Sequence, residues 1–88
     1  MNVEFDKSFH KALKKINQKS LFPKIEEIIN ECEKAASVQE ISNIKKLSGF
    51  VHFYRIRIGD YRIGIEISNN TITFITIANR KDIYKKFP

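Results

Sequence analysis

Residues 54 to 67 read Tyr-Arg-Ile-Arg-Ile-Gly-Asp-Tyr-Arg-Ile-Gly-Ile-Glu-Ile. Apolar and polar side chains alternate on both sides of Gly59-Asp60, and such alternation predicts strands with one buried face. A Gly-Asp pair between two such segments is typical of a two-residue hairpin loop. This loop predicts four cross-strand pairs: Ile58 with Tyr61, Arg57 with Arg62, Ile56 with Ile63 and Arg55 with Gly64. Three arginines therefore share one face of the predicted hairpin.

The facing arginines have two interpretations. Like charges directly opposite each other destabilise a sheet, so Arg57 across from Arg62 favours an anion bound between them. Guanidinium groups are well shaped to bind phosphate oxygens in pairs, and Gly64 leaves space beside Arg55. Alternatively, this face is a solvated outer surface on which Glu66 supplies a counter-charge. Glu66 fits better as a salt-bridge partner than as a catalytic base, because exposed carboxylates beside arginine usually form ion pairs.

The length and composition predict a single domain, residues 1–88. Hydrophobic residues make up 42% of the chain, which is enough for a small core. The apolar runs are too short to cross a bilayer, and the N-terminus lacks the apolar segment of a secretory signal, so we expect a cytoplasmic protein. Cys32 is the single cysteine and falls on an apolar helix stripe, which predicts a buried thiol. With two isolated histidines, the sequence has no metal-ligand cluster.

The net charge of +6 belongs to the second half of the chain. Residues 1–43 contain seven Lys/Arg and seven Asp/Glu, whereas residues 44–88 contain nine Lys/Arg and three Asp/Glu. This asymmetry indicates a polyanionic partner. Nucleic acid is favoured over a membrane surface, because the arginines alternate on strands and form no amphipathic helix.

The remaining elements follow from periodicity. Residues 2–5 can form a first strand, followed by a helix capped by Asp6 or Ser8, and a second helix begins near Ser20 as its cap. The two helices form a hairpin that covers the core face of the sheet. Residues 37–43 form a polar connector with room for one helical turn. The apolar stripes of the two helices are Phe9, Ala12, Leu13 and Ile16 in the first helix, and Leu21, Ile25, Ile28, Ile29, Cys32 and Ala36 in the second.

Asn69-Asn70 predicts a second hairpin turn, because asparagine tolerates positive φ. A two-residue loop there places Ile75 beside Gly64 and Ile77 beside Arg62, on the arginine face. This arrangement forms either a shallow groove for a sugar-phosphate chain with an unstacked base, or a central strand covered on both sides. Residues 79–86 follow as a turn and a short helix. The predicted core pairs are Ile67 with Ile72, Ile65 with Phe74, Ile63 with Thr76 and Tyr61 with Ala78.

Three segments of this sequence resemble the RelE/ParE superfamily of bacterial and archaeal toxins, and most closely its RelE branch. They are Leu47-Ser48-Gly49, the segment from Phe53 to Ile63, and Arg80-Lys81-Asp82-Ile83-Tyr84. The resemblance implies an α+β fold with one N-terminal strand, a two-helix hairpin, a three-stranded antiparallel meander and a short C-terminal helical segment.

The resemblance also implies a function. Members of the RelE branch are mRNA endonucleases that cleave message in the ribosomal A site through the RNA's own 2′-hydroxyl, need no cofactor, and are neutralised by a cognate antitoxin. The residues that surround the scissile phosphate correspond here to Arg55, Arg57, Arg62, Arg80 and Tyr84. Five lysines are predicted to contact RNA around them: Lys45, Lys46, Lys81, Lys85 and Lys86.

Two features of this chain bear on a side-chain general base. The hairpin positions of Arg55 and Arg57 are often lysine in the family, and arginine cannot lose its proton as a crowded lysine can. Asn79 stands where relatives often carry histidine. Tyr84 can stack on a base or orient the 2′-hydroxyl, and as a base it would need a lowered pKa, which nearby arginines help to supply.

Two other functions are compatible with the same residues. The first is a gyrase-inhibiting toxin of the ParE kind, which shares the fold and much of the hairpin. The second is an inactive relative that only binds the antitoxin.

Overall fold

Five strands form one mixed sheet in the computed structural model, which describes all 88 residues. The order across the sheet is β1-β5-β4-β3-β2, with β1 parallel to β5 and every other pair antiparallel. The α+β fold with an N-terminal strand and a three-stranded meander is confirmed, and β2 adds an edge strand that was not predicted. The strands are β1 (Asn2–Phe5), β2 (Ile44–Lys46), β3 (Phe53–Ile58), β4 (Tyr61–Ser68) and β5 (Thr71–Asn79).

The hairpin between β3 and β4 has the predicted register. Arg57 lies opposite Arg62 and Arg55 lies opposite Gly64, around a two-residue loop in which Gly59 has φ of 59°. The loop from β4 to β5 is also as predicted, because Asn69 and Asn70 both adopt positive φ, 51° and 57°. Two residues with positive φ match the right-handed twist of the flanking strands.

A β-bulge changes the second half of the β4–β5 pairing. Ile65 still pairs with Phe74, but Ile63 pairs with Ile77 and Tyr61 with Asn79. The predicted pairs of Ile63 with Thr76 and Tyr61 with Ala78 are therefore wrong. An extra residue in one strand reverses the faces of the residues beyond it, so Ile77 joins the main core, not the arginine face. At the bulge, the carbonyl of Ile75 accepts a hydrogen bond from the hydroxyl of Ser8.

Two helices, α1 (Lys7–Lys14) and α2 (Leu21–Lys34), pack their apolar sides on one face of the sheet, and a single 3-10 turn (Val38–Glu40) follows them. Asp6 caps α1, since its carboxylate accepts the Ser8 N–H at 3.1 Å. Ser20 stands at the predicted N-cap position of α2, but it has helical φ and ψ and its side chain makes no capping hydrogen bond. The side chains buried between the helices and the sheet include Phe9, Leu21, Ile25, Cys32, Ile56, Ile63, Ile65, Ile72 and Phe74.

A second, smaller core lies on the opposite face of the sheet. It consists of Leu47, Ala78, Ile83 and Phe87, with Phe53 and Ile75 packed against it. The predicted C-terminal helix, α3 (Ile83–Lys86), is confirmed and brings Phe87 onto Gly64. A Cβ atom at Gly64 would lie only 2.6 to 2.8 Å from ring atoms of Phe87. The space beside Gly64 is therefore filled by this ring, so of the two alternatives the strand covered on both sides is the one seen here, and there is no groove beside Gly64.

None of the three helices combines the length and the apolar character that spanning a membrane would require.

Candidate functional site

The face of the sheet that carries Arg55, Arg57 and Arg62 is called the arginine face below. Arg57 and Arg62 lie directly opposite each other on β3 and β4, and Arg55 lies one pleat away from Arg57 on the same side. Arg80 follows β5, and its backbone N–H donates to the carbonyl of Asp60 at 2.8 Å. This hydrogen bond ties Arg80 to the tip of the hairpin. All four arginines of the chain are thus held in one region.

Arg62 is held by the hairpin loop itself. Its Nη1 atom donates to the carbonyls of Gly59 and Tyr61, each at 2.9 Å. Partial burial lowers the pKa of Arg62, and the charges of three neighbouring arginines lower it further, whereas nearby Tyr84 acts in the opposite direction. Arg62 remains a cation, because arginine is not deprotonated in proteins.

Arg57, Arg62 and Arg80 line one cavity of about 690 Å³. Asn43 orients Arg57 within it: the Asn43 carbonyl accepts the Arg57 backbone N–H at 3.0 Å, and its Oδ1 accepts from Arg57 Nη2 at 3.4 Å. Asn43 was not predicted as a site residue. It lies in a polar connector with φ of 59°, and only this tolerance of asparagine for positive φ could have drawn attention to it.

None of the four arginines has a carboxylate partner. The chain's one ion pair joins Lys85 Nζ to Asp82 Oδ1 at 3.8 Å. Glu66 shares the arginine face, where it lies opposite Phe53 and diagonally across from Arg55, but it forms no ion pair with any arginine. The interpretation of Glu66 as a salt-bridge partner is therefore wrong. Glu27 and Asp60 line the same cavity as Arg57, Arg62 and Arg80, but neither forms an ion pair with an arginine.

Tyr84 lies in the four-residue helix α3, and 63% of its surface is exposed. It lines a neighbouring cavity of about 560 Å³. Ile83, which is completely buried, and Phe87 anchor the helix on either side of Tyr84. The tail of the chain thus places one exposed aromatic ring in a cavity that Lys45, the cross-strand neighbour of Arg55, also lines.

The predicted RNA-binding lysines are dispersed. Lys45 pairs with Arg55 across β2 and β3, so it extends the arginine face by one strand. Lys46 pairs with Tyr54, and its side chain lines the cavity of Tyr84 together with Lys45. Lys81 is exposed in the turn after β5, and Lys85 is the partner of Asp82. Lys86 lines a separate cavity with Lys11 and Lys15 of α1, away from the arginines.

The other nucleophilic and titratable groups lie elsewhere. Cys32 is buried, and burial raises the pKa of its thiol to about 11, so it stays protonated and unreactive near neutral pH. His52 is exposed in the loop before β3, and its carbonyl accepts the N–H of Ile67 at 2.9 Å. No three His, Cys, Asp or Glu side chains are grouped so that they could hold a metal ion. The chemistry that this arrangement supports is the binding of a multiply hydrogen-bonding anion by guanidinium groups.

Two comparisons with known proteins bear on the family. The family model described as the ParE toxin of type II toxin-antitoxin systems, parDE, matches residues 3–84. A curated relative, Toxin RelE3 of Methanocaldococcus jannaschii, is 43% identical over 89 residues, with 100% of both chains covered. The chain belongs to the RelE/ParE superfamily of type II toxins. The identity over the full length to a RelE toxin confirms the resemblance seen in the sequence and its RelE branch.

Solved structures share the fold, and one of them also supports the RelE assignment. The RelB-RelE antitoxin-toxin complex from Methanococcus jannaschii contains a chain with 41% identity and a TM-score of 0.81, covering 97% of this chain and 99% of that chain. The archaeal RelE-RelB complex from Pyrococcus horikoshii OT3 matches with a TM-score of 0.72 at 23% identity, covering 93% and 97%. The second match shows a shared fold alone. The RelE-like fold predicted from the sequence is confirmed.

Proposed function

We propose that this RelE-family toxin is an mRNA endonuclease that cleaves message in the ribosomal A site. The observation that carries the proposal is the convergence of all four arginines, none of which has a carboxylate partner. Unpaired guanidinium groups repel one another, and a phosphodiester both relieves that repulsion and accepts paired hydrogen bonds from them. Nucleic acid, whose nucleosides are joined by phosphodiesters, is the class of partner that this charge pattern favours, and we assign it as RNA.

The proposed reaction uses the RNA's own hydroxyl. The 2′-oxygen attacks the adjacent phosphorus and gives up its proton, and the bond from phosphorus to the 5′-oxygen breaks as that oxygen gains a proton. The products are a 2′,3′-cyclic phosphate and a 5′-hydroxyl. Charge accumulates on the phosphorane oxygens, and preorganised cationic donors stabilise such charge strongly. We assign this role to the four catalytic arginines, Arg55, Arg57, Arg62 and Arg80.

The arginines cannot accept the 2′-hydroxyl proton, because they do not deprotonate. Tyr84 is therefore given the role of aligning the substrate through its exposed ring. Since the site has no strong base, the ribosome must hold the message in a reactive geometry, and the isolated protein should be nearly inert on naked RNA. Around the site we propose backbone contacts from Lys45, Lys46, Lys81, Lys85 and Lys86, with Lys45 next to the arginines.

A cognate antitoxin is the proposed protein partner. The RelE chains of the two archaeal structures are bound to RelB antitoxins. An acidic or amphipathic helical segment suits a surface of four unpaired arginines, and covering that surface would block access to RNA. A ribosomal target places the protein in the cytoplasm.

A ParE-like toxin is the second candidate, because the matching family model is described by ParE. Such a toxin would inhibit gyrase at stoichiometric protein in a supercoiling assay and leave translation unaffected. The inactive relative is tested by expressing the chain without an antitoxin, since unimpaired growth would support it against both active forms.

Replacing Tyr84 tests the alignment role. Base stacking on an aromatic ring contributes about 1–3 kcal/mol, so we expect Tyr84→Ala to slow cleavage roughly 5- to 150-fold. Tyr84→Phe, which keeps the ring, should stay within about threefold of the wild type if ring stacking dominates. Primer extension on programmed ribosomes measures the new 5′ ends within A-site codons. Because Tyr84 is largely exposed, both variants should fold normally.

Three results are informative. Cleavage by Tyr84→Ala at the wild-type rate would contradict the alignment role alone. Equal losses in both variants would assign the effect to the hydroxyl group. Intact message in the wild-type reaction would contradict the nuclease itself.

A further inference from the structure

The loop between β2 and β3 carries exposed apolar side chains. Phe50 is 44% exposed and Val51 is 70% exposed. The loop is nevertheless held at both ends: the Leu47 N–H donates to the carbonyl of Phe53, and the carbonyl of His52 accepts the N–H of Ile67, each at 2.9 Å. Leu47 itself is buried in the second core. Phe50 is therefore presented to solvent from an anchored loop.

The ring of Phe50 also packs against other aromatic rings. Its ring centroid lies 5.8 Å from that of Phe53 at an interplanar angle of 73°, and Phe53 lies 5.3 Å from Phe87 at 86°. Edge-to-face contacts of this kind hold rings in defined orientations. The row of three rings runs from the exposed loop to the buried tail. It fixes the position of Phe50 while leaving almost half of the side chain free.

Phe50 and Tyr84 line the same cavity of about 560 Å³. Lys45 and Lys46 line it as well, and no Asp or Glu side chain does. Lys45 lies directly across from Arg55, so positive charge continues from this cavity to the arginine face. The cavity thus combines two exposed aromatic rings with a cationic border, and it lies next to the proposed phosphate site.

We propose that Phe50 and Tyr84 form a binding pocket for one unpaired nucleobase of the RNA. This pocket rests on the proposed function, since the phosphate of the same RNA would lie on the arginine face. Exposed aromatic rings beside cationic side chains are the surface that single-stranded nucleic acid uses, because every base has a face that stacks. Phe50, which no family correspondence pointed to, becomes a residue that determines how tightly the message is held.

An uncleavable RNA tests the pocket without the ribosome. The probe is a 2′-O-methyl trinucleotide with 2-aminopurine at its centre, whose fluorescence falls when the base stacks. We expect saturable quenching by the full-length protein. Phe50→Ala and Phe50→Leu should raise the dissociation constant about tenfold, because both remove the ring, and Phe50→Tyr should restore wild-type binding. Phe22→Ala on α2 is the matched control, since Phe22 is similarly exposed at 39% but lies outside this cavity.

The outcomes separate the pocket from the nuclease. Quenching that depends on Phe50, in a protein that cleaves nothing on ribosomes, would keep the pocket and contradict the proposed function. Ribosomal cleavage without such quenching, or equal binding by Phe50→Ala and wild type, would overturn the pocket alone. If Phe50→Ala weakened antitoxin binding and left quenching unchanged, the loop would be a protein-docking surface and the base pocket would be wrong. Unchanged thermal unfolding of Phe50→Ala would exclude misfolding as the cause of lost quenching.

Discussion

Arg62→Ala is expected to slow cleavage of ribosome-bound message by about 10²- to 10³-fold, the loss seen when one preorganised oxyanion donor is removed. Arg62 is the arginine that the hairpin loop holds in place and that the charges of the other three arginines reach. Two carbonyls of the hairpin loop orient its guanidinium, and its pKa is lowered by partial burial and then by the other three arginines. Removing it takes away charge and directed hydrogen bonds where the phosphorane gains charge. Single-turnover cleavage on programmed ribosomes measures this loss directly.

Two matched variants separate charge from geometry. Arg62→Lys keeps the charge but loses the paired hydrogen bonds, so its rate should fall between those of Arg62→Ala and wild type. Lys19→Ala removes one exposed cation in the turn before α2, away from the arginine face, and should cleave at close to the wild-type rate. If Lys19→Ala slowed cleavage as much as Arg62→Ala, the site would be acting only through overall charge. Wild-type cleavage by Arg62→Ala would remove the arginine face from the mechanism.

The contact between Gly64 and Phe87 gives the second expectation. Phe87→Ala should lower the free energy of unfolding by about 3 kcal/mol, since it removes a buried ring from the second core. Gly64→Ala should cost about 1–3 kcal/mol, because its Cβ would lie 2.6 to 2.8 Å from the ring of Phe87. The double variant should lose less than the sum, since without the ring the added methyl has nothing to displace. Urea unfolding followed by circular dichroism measures all three.

The same variants should reduce cleavage by misplacing Tyr84, which the buried side chains of Ile83 and Phe87 hold in place. Lys19→Ala is again the control, because substitution of an exposed side chain usually changes stability by no more than about 0.5 kcal/mol. Fully additive losses for Gly64→Ala and Phe87→Ala would mean that the two positions do not interact. The anchoring of α3 through this contact would then be wrong.

The hairpin that carries the arginines was predictable, because strict alternation and a Gly-Asp turn determine both its register and its faces. The face of the sheet on which Ile77 lies was not predictable in this way. The bulge in β5 lies within a run of β-branched and aromatic residues, where no glycine or proline marks the extra residue. Strict alternation continued through the bulge predicts Ile77 beside Arg62, whereas the structure places Ile77 in the main core.

Two other features depend on tertiary contacts that no local pattern reports. Ile44-Lys45-Lys46 is three residues long and two-thirds lysine, which is common for an edge strand but is too short for a periodicity. Phe87 is one apolar residue beside the terminal proline, and its burial against Gly64 depends on the path of α3. Placement of Tyr84, and of the cavity beside it, follows from these contacts. Alternation could therefore predict which strand residues carry the positive charge, but not the position of Tyr84 or the cavity beside it.

One substitution in the message itself tests the proposed mechanism most directly. A ribosome-bound message is prepared with a single 2′-deoxynucleotide on the 5′ side of the A-site bond that the toxin cleaves. Without that hydroxyl, the attack on phosphorus cannot occur, so we expect cleavage at this bond to disappear. The all-ribose message should be cleaved to a 2′,3′-cyclic phosphate and a 5′-hydroxyl. Equal cleavage of both messages would contradict attack by the 2′-hydroxyl at an arginine-bound phosphate.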